Sequence, residues 1–499
     1  MNALRFTRRP RPEYVAALIA AVAIALRVYR RAPTWQSSDA SNLADFVSWV
    51  ACRRFVRLYH LEELALYRLG GVQPLVLFLQ MRLFRTFDVR VSELGWESSQ
   101  IVVSAASTYT AFLFAREVAG PAAGLSAAAL LAVTPLGIAL GRHLGAPWPY
   151  EEGFQYLILF LLIASLRRPG RLVRIAFSLT LSLYFWVGNQ VLGILPVLLY
   201  VLAAGYAEQQ GQKLAAFLHA RWTPWLALPG LSLALLLYCT LALHAGHLYH
   251  AFFHKRHTLG FYASHWLDDA SLAIGRSATY LASALAVLGA SAERRWLSQR
   301  HAPLVLAFAY ALPFWFVIPP GSTLTRGYVM YGVSALLIAA CTGAFSPRLR
   351  ERHAPVLLVV VALLQIGGAL KSTYRLIDAP FISTRSFQGS WAPDNGIKAA
   401  AAWIRSRGPA RGAVMSDASG GLGLEPSIMD MYLMRPNLAF NDAPSAKYVS
   451  RRSPVTRIAS STSSSARRTP SSRRDTSRSS PGRWTSPTAR RPTSFYRCT

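Results

Sequence analysis

Residues 121–152 read PAAGLSAAALLAVTPLGIALGRHLGAPWPYEE, and the first 21 of them carry no charged side chain. A helix needs about 20 such residues to cross the hydrocarbon layer of a bilayer. The same character returns in Trp222 to Leu243 and in Ala302 to Ile318, so the stretch is one of a series. Of 499 residues, 53% are hydrophobic and 15% charged, which points away from a single water-soluble core and toward a polytopic membrane protein. The four cysteines, Cys52, Cys239, Cys341 and Cys498, include no CxxC pair, and neither a disulfide framework nor a thiolate metal site is suggested.

The formal charge is +30, but its placement says more than its size. Residues 447–499 hold 13 of the 53 basic residues and one acid, Asp475. Most of the remainder flanks apolar runs, as topology signals do, and no nucleic-acid partner is expected. Arg5, Arg8, Arg9 and Arg11 precede the run Tyr14 to Leu26 in the manner of a signal peptide. Arg27, Arg30 and Arg31 follow where small cleavage-site residues would be needed, so the first span is read as uncleaved.

The segment from Ala32 to Glu97 decides the parity of everything after it. Its most apolar part, Val72 to Phe87, carries Arg82 and Arg85. A central arginine costs roughly 2.5 to 3.5 kcal/mol on insertion, so an interfacial helix with snorkelling arginines is the better reading. The cytoplasmic loops then hold thirteen basic residues: Arg116, Arg167, Arg168, Arg171, Arg174, Lys213, Arg221, Arg294, Arg295, Arg300, Arg348, Arg350 and Arg352. The opposite loops hold four, Arg142, Lys255, Arg256 and Arg326. By the positive-inside rule the chain is an all-α protein of about 11 transmembrane helices in the cytoplasmic (inner) membrane, with the N-terminus inside and the C-terminal region outside. The spans are expected near 14–30, 98–115, 121–141, 153–166, 173–188, 190–206, 222–243, 270–291, 302–319, 327–345 and 354–370.

Residues 1–13 are thus a cytoplasmic N-terminus and 14–370 a transmembrane module with a long first outer loop, 32–97. Residues 371–446 read as a small extracytoplasmic α/β piece, with helices over Ile397 to Arg405 and Pro426 to Leu433 and a strand over Ala413 to Met415. From Lys447, 39 of 53 residues are Ser, Arg, Thr or Pro, a composition that cannot bury a core and predicts disorder. The abrupt change reads as out-of-frame translation of a GC-rich gene, with a genuine basic tail as the alternative.

Four places gather polar groups on the outer face. Asp39 and Asp45 follow the first span beside Trp35 and Trp49; a carboxylate at that depth suits a general base toward a hydroxyl, or a plain helix cap. The loop after the third span holds Arg142, His143, Glu151 and Glu152. The first two could neutralise a lipid phosphate, and either glutamate could hold a divalent ion or orient an acceptor, unless all four are snorkelling helix-end charges. Arg326, followed by Tyr328, is the only basic residue of its outer loop, and a planar guanidinium suits a phosphate. Finally His247, His250, His254 and His257 would share one face if Ala245 to Thr258 is helical. No metal is named from these residues, no other cofactor is implied, and a divalent ion stays an open option.

The order of parts resembles the GT-C class of integral-membrane glycosyltransferases, within it the protein O-mannosyltransferase and aminoarabinose transferase branch. The pieces that carry the likeness are Ser38-Asp39-Ala40, Gly71-Val72-Gln73-Pro74-Leu75, Thr134-Pro135-Leu136 leading to Gly141-Arg142-His143, and Thr325-Arg326-Gly327-Tyr328. The family often has an acidic pair where Asp39 is followed by Ala40, and His-Pro-Pro-Leu where this chain has Val72-Gln73-Pro74-Leu75. The resemblance implies a cell-envelope, mannosyltransferase-like enzyme. It would move a sugar from a polyprenyl-phosphate-linked donor in the membrane lipid to an acceptor hydroxyl of a glycan, lipid or protein outside the membrane, with inversion. Asp39 would be the catalytic base, with Asp45 or Glu151 in reserve; Arg142, His143, Gln73, Arg326 and Tyr328 would bind substrate. The rival from another class is a transporter or flippase for a lipid-linked or anionic substrate, which an internal repeat would favour.

Overall fold

The computed structural model describes residues 11–28, 93–141, 148–168, 170–187, 191–208, 223–252, 273–292, 299–316, 323–346 and 353–378, with the single positions 76, 79, 80, 83, 264, 267, 270 and 271. Every element among them is helical and none is a strand. In chain order they are α1 (Pro12–Val28), α2 (Glu93–Ala119), α3 (Pro121–Ala132), α4 (Pro135–Leu140), α5 (Trp148–Arg167) and α6 (Arg171–Tyr184). After these come α7 (Val191–Glu208), α8 (Thr223–Phe252), α9 (Arg276–Ser291), a 3-10 turn (Gln299–His301), α10 (Ala302–Phe316), α11 (Thr323–Ala344) and α12 (Ala354–Asp378). Each apolar run has become a helix, with boundaries that differ for physical reasons.

The run 121–141, expected as one span, is two helices. Pro135 has no N–H for the carbonyl of Leu131, so the Thr134 N–H bonds that carbonyl instead, at 3.3 Å, and the carbonyl of Leu130 loses its helical partner. The Thr134 hydroxyl donates to Leu130 O at 2.9 Å and the buried Gln365 amide of α12 donates to it at 3.0 Å, which satisfies the carbonyl and ties the break to α12. One residue separates α2 from α3: Gly120 turns the chain at φ 95°, where a side chain is strained, and Pro121 opens α3 with its φ already set. The fourth span starts earlier than expected, because α5 takes in Trp148 to Glu152; Pro149 and the acidic Glu151 suit a first helical turn. In contrast α6 stops at Tyr184, before a turn over 185–187. The last helix runs through to Asp378, past Lys371, where the α/β piece was expected to begin. The remainder of that piece and the basic tail lie outside the described residues.

α2 is the central strut, packed against α1, α3 and α5, while α11 packs against α9, α10 and α3. At one end of the bundle Arg116 of α2 pairs with Glu13 of α1 at 2.6 Å and lies 5.2 Å over the Phe112 ring. Glu117 of α2 takes Arg167 and Arg168 from the end of α5 at 3.5 and 3.7 Å. The last turn of α1, the start of α2, α4 and the start of α5 therefore share the opposite end. There Val76 and Gln80, four residues apart and both helical, face inward: Val76 packs on the core and Gln80 donates to the Ser98 hydroxyl at 2.9 Å. Leu79 and Leu83, also helical, are exposed, the amphipathic split expected of an interfacial helix.

The outward faces are apolar. Tyr14, Leu18 and Val22 on α1, Leu231, Leu235 and Tyr238 on α8, and Val356, Val359 and Leu363 on α12 are all exposed at helical spacing. The interior, by contrast, holds Arg27, Glu97, Gln100, Glu151, Glu152, Gln155 and Gln365. No stretch made only of described residues is both long and apolar enough to cross a membrane. Over their full bounds α5, α8, α11 and α12 have 20, 30, 22 and 25 residues, which at 1.5 Å per residue is roughly 30 to 45 Å.

Candidate functional site

The buried polar groups form a connected set at the end where α1 stops and α5 starts. Arg27, only 2% exposed, comes from the last turn of α1. Its Nε donates to the Ser104 hydroxyl of α2 at 2.7 Å and its Nη1 to the carbonyl of Ala23 at 3.0 Å. The floor beneath it is glycine by necessity: a Cβ on Gly141 would stand 2.3 Å from Ser104 Oγ and 2.6 Å from Arg27 Nε. The Thr134-Pro135-Leu136 to Gly141 piece is therefore the surface against which Arg27 is packed, and Arg142 and His143 follow it directly in the chain.

The first turn of α5 supplies the acids. Glu151 is 1% exposed and Glu152 is 6% exposed, so the structure places both inside the bundle rather than in the surface loop expected for them. Ser107 of α2 donates to Glu152 Oε2 at 3.2 Å, and the Arg27 guanidinium is near enough to act on the same carboxylate electrostatically. Tyr331 of α11 donates its phenolic hydrogen to Glu151 Oε2. One turn further along α5, Gln155 Oε1 accepts from the Tyr310 hydroxyl of α10, and the hydroxyls of Tyr156 and Ser334 share a hydrogen bond. The Tyr310 and Tyr331 rings lie 5.1 Å apart at 46°, and Tyr156 stacks on Phe114 of α2 at 5.9 Å. A buried carboxylate without donors is strongly disfavoured; here Glu151 has Tyr331 of α11, and Glu152 has Ser107 of α2 and Ser334 of α11.

Of the residues selected from sequence, the structure joins Glu151 and Glu152 to this set. Asp39, Asp45, Gln73, Arg142 and His143 lie outside the described residues. Arg326 and Tyr328 are placed by their backbone in the first two turns of α11, ahead of Tyr331 and Ser334 on the same helix. The histidine stretch is helical as far as Phe252, where α8 ends, and His254 and His257 lie outside the described residues. Among the described residues no group of three or more His, Cys, Asp or Glu comes together as a metal site. The sequence reading missed Arg27, Ser104, Ser107, Gln155, Tyr310, Tyr331 and Ser334. One signal was present: Glu97, Gln100, Ser104, Ser107 and Thr108 recur at helical spacing along α2, and all are buried.

No protein-family model matches the sequence, and no curated protein matches it. In fold the chain is similar to ArnT, itself a GT-C glycosyltransferase. ArnT from Cupriavidus metallidurans, an aminoarabinose transferase, superposes in its apo state with a TM-score of 0.55 at 13% identity, over 84% of this chain and 84% of that one. The same protein bound to undecaprenyl phosphate gives 0.51 at 14% identity, over 85% of this chain and 88% of that one.

Proposed function

We propose that this chain is an integral-membrane glycosyltransferase that takes a sugar from a polyprenyl-phosphate-linked donor and transfers it, with inversion, to an acceptor hydroxyl on the outer face of the cytoplasmic membrane. The observation that carries the proposal is a fold shared with ArnT over most of both chains, turned apolar side out and polar side in. Exposed leucines, valines and tyrosines around a buried set of charged groups suit a lipid solvent better than water. Undecaprenyl phosphate bound to the ArnT structure supports a polyprenyl phosphate as the donor's carrier.

In this reading the donor's lipid tail lies against the apolar faces and its phosphate leaves with growing negative charge. A fixed guanidinium stabilises that charge most where water is excluded, and Arg326 and Arg142 are the residues assigned to it. His143, Gln73 and Tyr328 are assigned to substrate binding. Asp39 takes the proton of the attacking hydroxyl, a task that requires one acceptor within hydrogen-bond reach, with Asp45 next in line. The charge count along the loops sets eleven spans with Asp39, Arg142 and Arg326 all on the outer side.

Two experiments test this. Purified protein in detergent is given polyprenyl-phosphate sugars, and release of polyprenyl phosphate is followed together with labelling of an acceptor. Deletion of the gene should cause one polyprenyl-linked sugar to accumulate. Movement of the intact lipid-linked sugar across a vesicle membrane, with its glycosidic bond preserved, would instead establish the transporter.

A further inference from the structure

We infer that the first turn of α5 is a yoke, in which Glu152 bridges α2 and α11 and Glu151 holds α11 one turn nearer its start, so that Glu151 acts as a positioning residue for the Arg326 end of that helix. The latch itself stands on geometry; that the residues it positions bind a donor phosphate rests on the transferase reading.

Neighbouring residues of a helix project about 100° apart, so two consecutive carboxylates reach different partner residues. Glu152 meets Ser107 of α2 at 3.2 Å and also the Ser334 hydroxyl of α11, within the field of Arg27 from α1. Glu151 meets Tyr331 of α11. The next turn reinforces the second contact, since Gln155 takes the hydroxyl of Tyr310, whose ring lies 5.1 Å from that of Tyr331. Glu151 and Gln155, four residues apart, thus form one column on α5 that faces a column of two tyrosines drawn from α10 and α11. α1 leads into the loop with Asp39, and the first turn of α11 carries Arg326, five residues before Tyr331. The segment between them in the fold, α5, is entered from Arg142 and His143. A carboxylate that is buried and already engaged by a tyrosine hydroxyl is poorly placed to receive a substrate proton, which requires direct reach or one intervening water. It is well placed to fix the height and rotation of α11.

The test uses the full chain in detergent, with Glu151→Gln, Glu151→Leu, Tyr331→Phe and the double variant Glu151→Leu/Tyr331→Phe. An amide oxygen still accepts from Tyr331, so Glu151→Gln should lose far less than Glu151→Leu. Displacement of a binding group by about 1 Å costs on the order of 10²-fold, so Glu151→Leu and Tyr331→Phe should each lower kcat/KM to about that extent, mostly through KM for the donor. The double variant should be no worse than the worse single one, because both remove the same contact. Amide hydrogen exchange over residues 323–331, measured without substrate, should quicken in the Leu and Phe variants and not in the Gln variant. A Gln variant as inactive as Leu, with exchange unchanged, overturns the proposal in favour of carboxylate chemistry at Glu151. Unchanged exchange and kinetics in Tyr331→Phe overturn it as well; that variant removes a single oxygen and serves if Glu151→Leu does not fold. If the parent transfers no sugar yet exchange responds as expected, the latch stands and the transferase reading fails.

Discussion

α9 and α11 approach each other through two glycines, and Gly289→Ala tests whether that approach is as close as it looks. A Cβ on Gly289 would stand 2.1 Å from the Cα of Gly343 and 2.9 Å from its carbonyl carbon. Seen from the other side, a Cβ on Gly343 would stand 2.5 Å from the carbonyl oxygen of Leu285. Carbon atoms rest about 3.5 to 4.0 Å apart, so the two backbones must separate by roughly 1.5 Å, and no flexible side chain can swing away to spare them. Over-packing of this kind costs typically about 1 to 3 kcal/mol, and the upper end applies because the colliding atoms are backbone. Alanine returns up to about 1 kcal/mol in helix propensity, which leaves a net loss near 2 kcal/mol. The same exchange at Gly230 of α8 or Gly367 of α12 meets nothing within 4 Å and should be neutral or stabilising by up to about 1 kcal/mol. One chemical change thus has opposite signs at positions on different helices. The assay is the fraction of monodisperse protein left after heating in detergent, with Gly230→Ala and Gly367→Ala as internal references. Gly289→Ala as heat-resistant as these two would refute the close crossing, and with it the seating of α11 on α9.

Four further expectations follow from the site and from the topology. Asp39→Asn keeps size and capping ability but cannot accept a proton, so transfer should fall by on the order of 10² to 10⁴ at equal protein level; near-parent activity moves the role of base to Asp45. Arg326→Ala should weaken donor use far more than Arg326→Lys, because lysine still offers a point charge; equal and parent-like donor KM in both makes the residue an anchor only. Arg27→Met removes the hydrogen bonds to Ser104 and the Ala23 carbonyl and a positive charge that favours the Glu152 carboxylate, and should cost about 1 to 3 kcal/mol of stability, part of it recovered in Arg27→Met/Glu152→Gln; additive losses would show that the two charges do not interact. Reporter fusions at Gly211 and Gly389 should report opposite sides of the membrane, and a common side breaks the eleven-span arrangement.

The helices were legible because the apolar runs are long and their flanks are basic; boundaries and the site were less so. Pro135 marks the break in 121–141, yet a proline in an apolar run is also compatible with a kinked continuous span, and the residue that repairs the break, Gln365, lies 235 positions away from Leu130. Arg27 looked like one more flanking charge beside Arg30 and Arg31, although it falls within the last turn of the first helix. The polar stripe on α2 was muted for a different reason. Ser107 and Thr108 bond the carbonyls of Ser104 and Ala105 at 2.7 and 2.6 Å, and hydroxyls that can satisfy themselves along their own helix give no hint of a distant partner. Tyr310 and Tyr331 read as ordinary core aromatics, since nothing local distinguishes a ring whose hydroxyl meets an acid from one that does not.

The adjacent pair Glu151-Glu152 was the hardest feature to interpret from sequence, and its resolution shows why a chain would keep it. Two neighbouring carboxylates at a membrane border read as surface charges, because burying them costs more than the helix gains from two acids in its first turn. The fold lowers that cost only if α2 presents Ser107 to Glu152 while α11 presents Tyr331 to Glu151 and Ser334 to Glu152 at the same time. A different rotation of α5, or a slip of α11 by one turn, leaves one acid buried without its donor. Apolar contacts between these helices are interchangeable to a first approximation; the two carboxylates are not, and they select one registration among several that would pack. Arg142 and His143 precede α5 on the chain, and Arg326 and Tyr328 lie in the first two turns of α11. In the proposed transferase, the spacing between the base and the phosphate clamp would then be set by polar contacts inside the bundle.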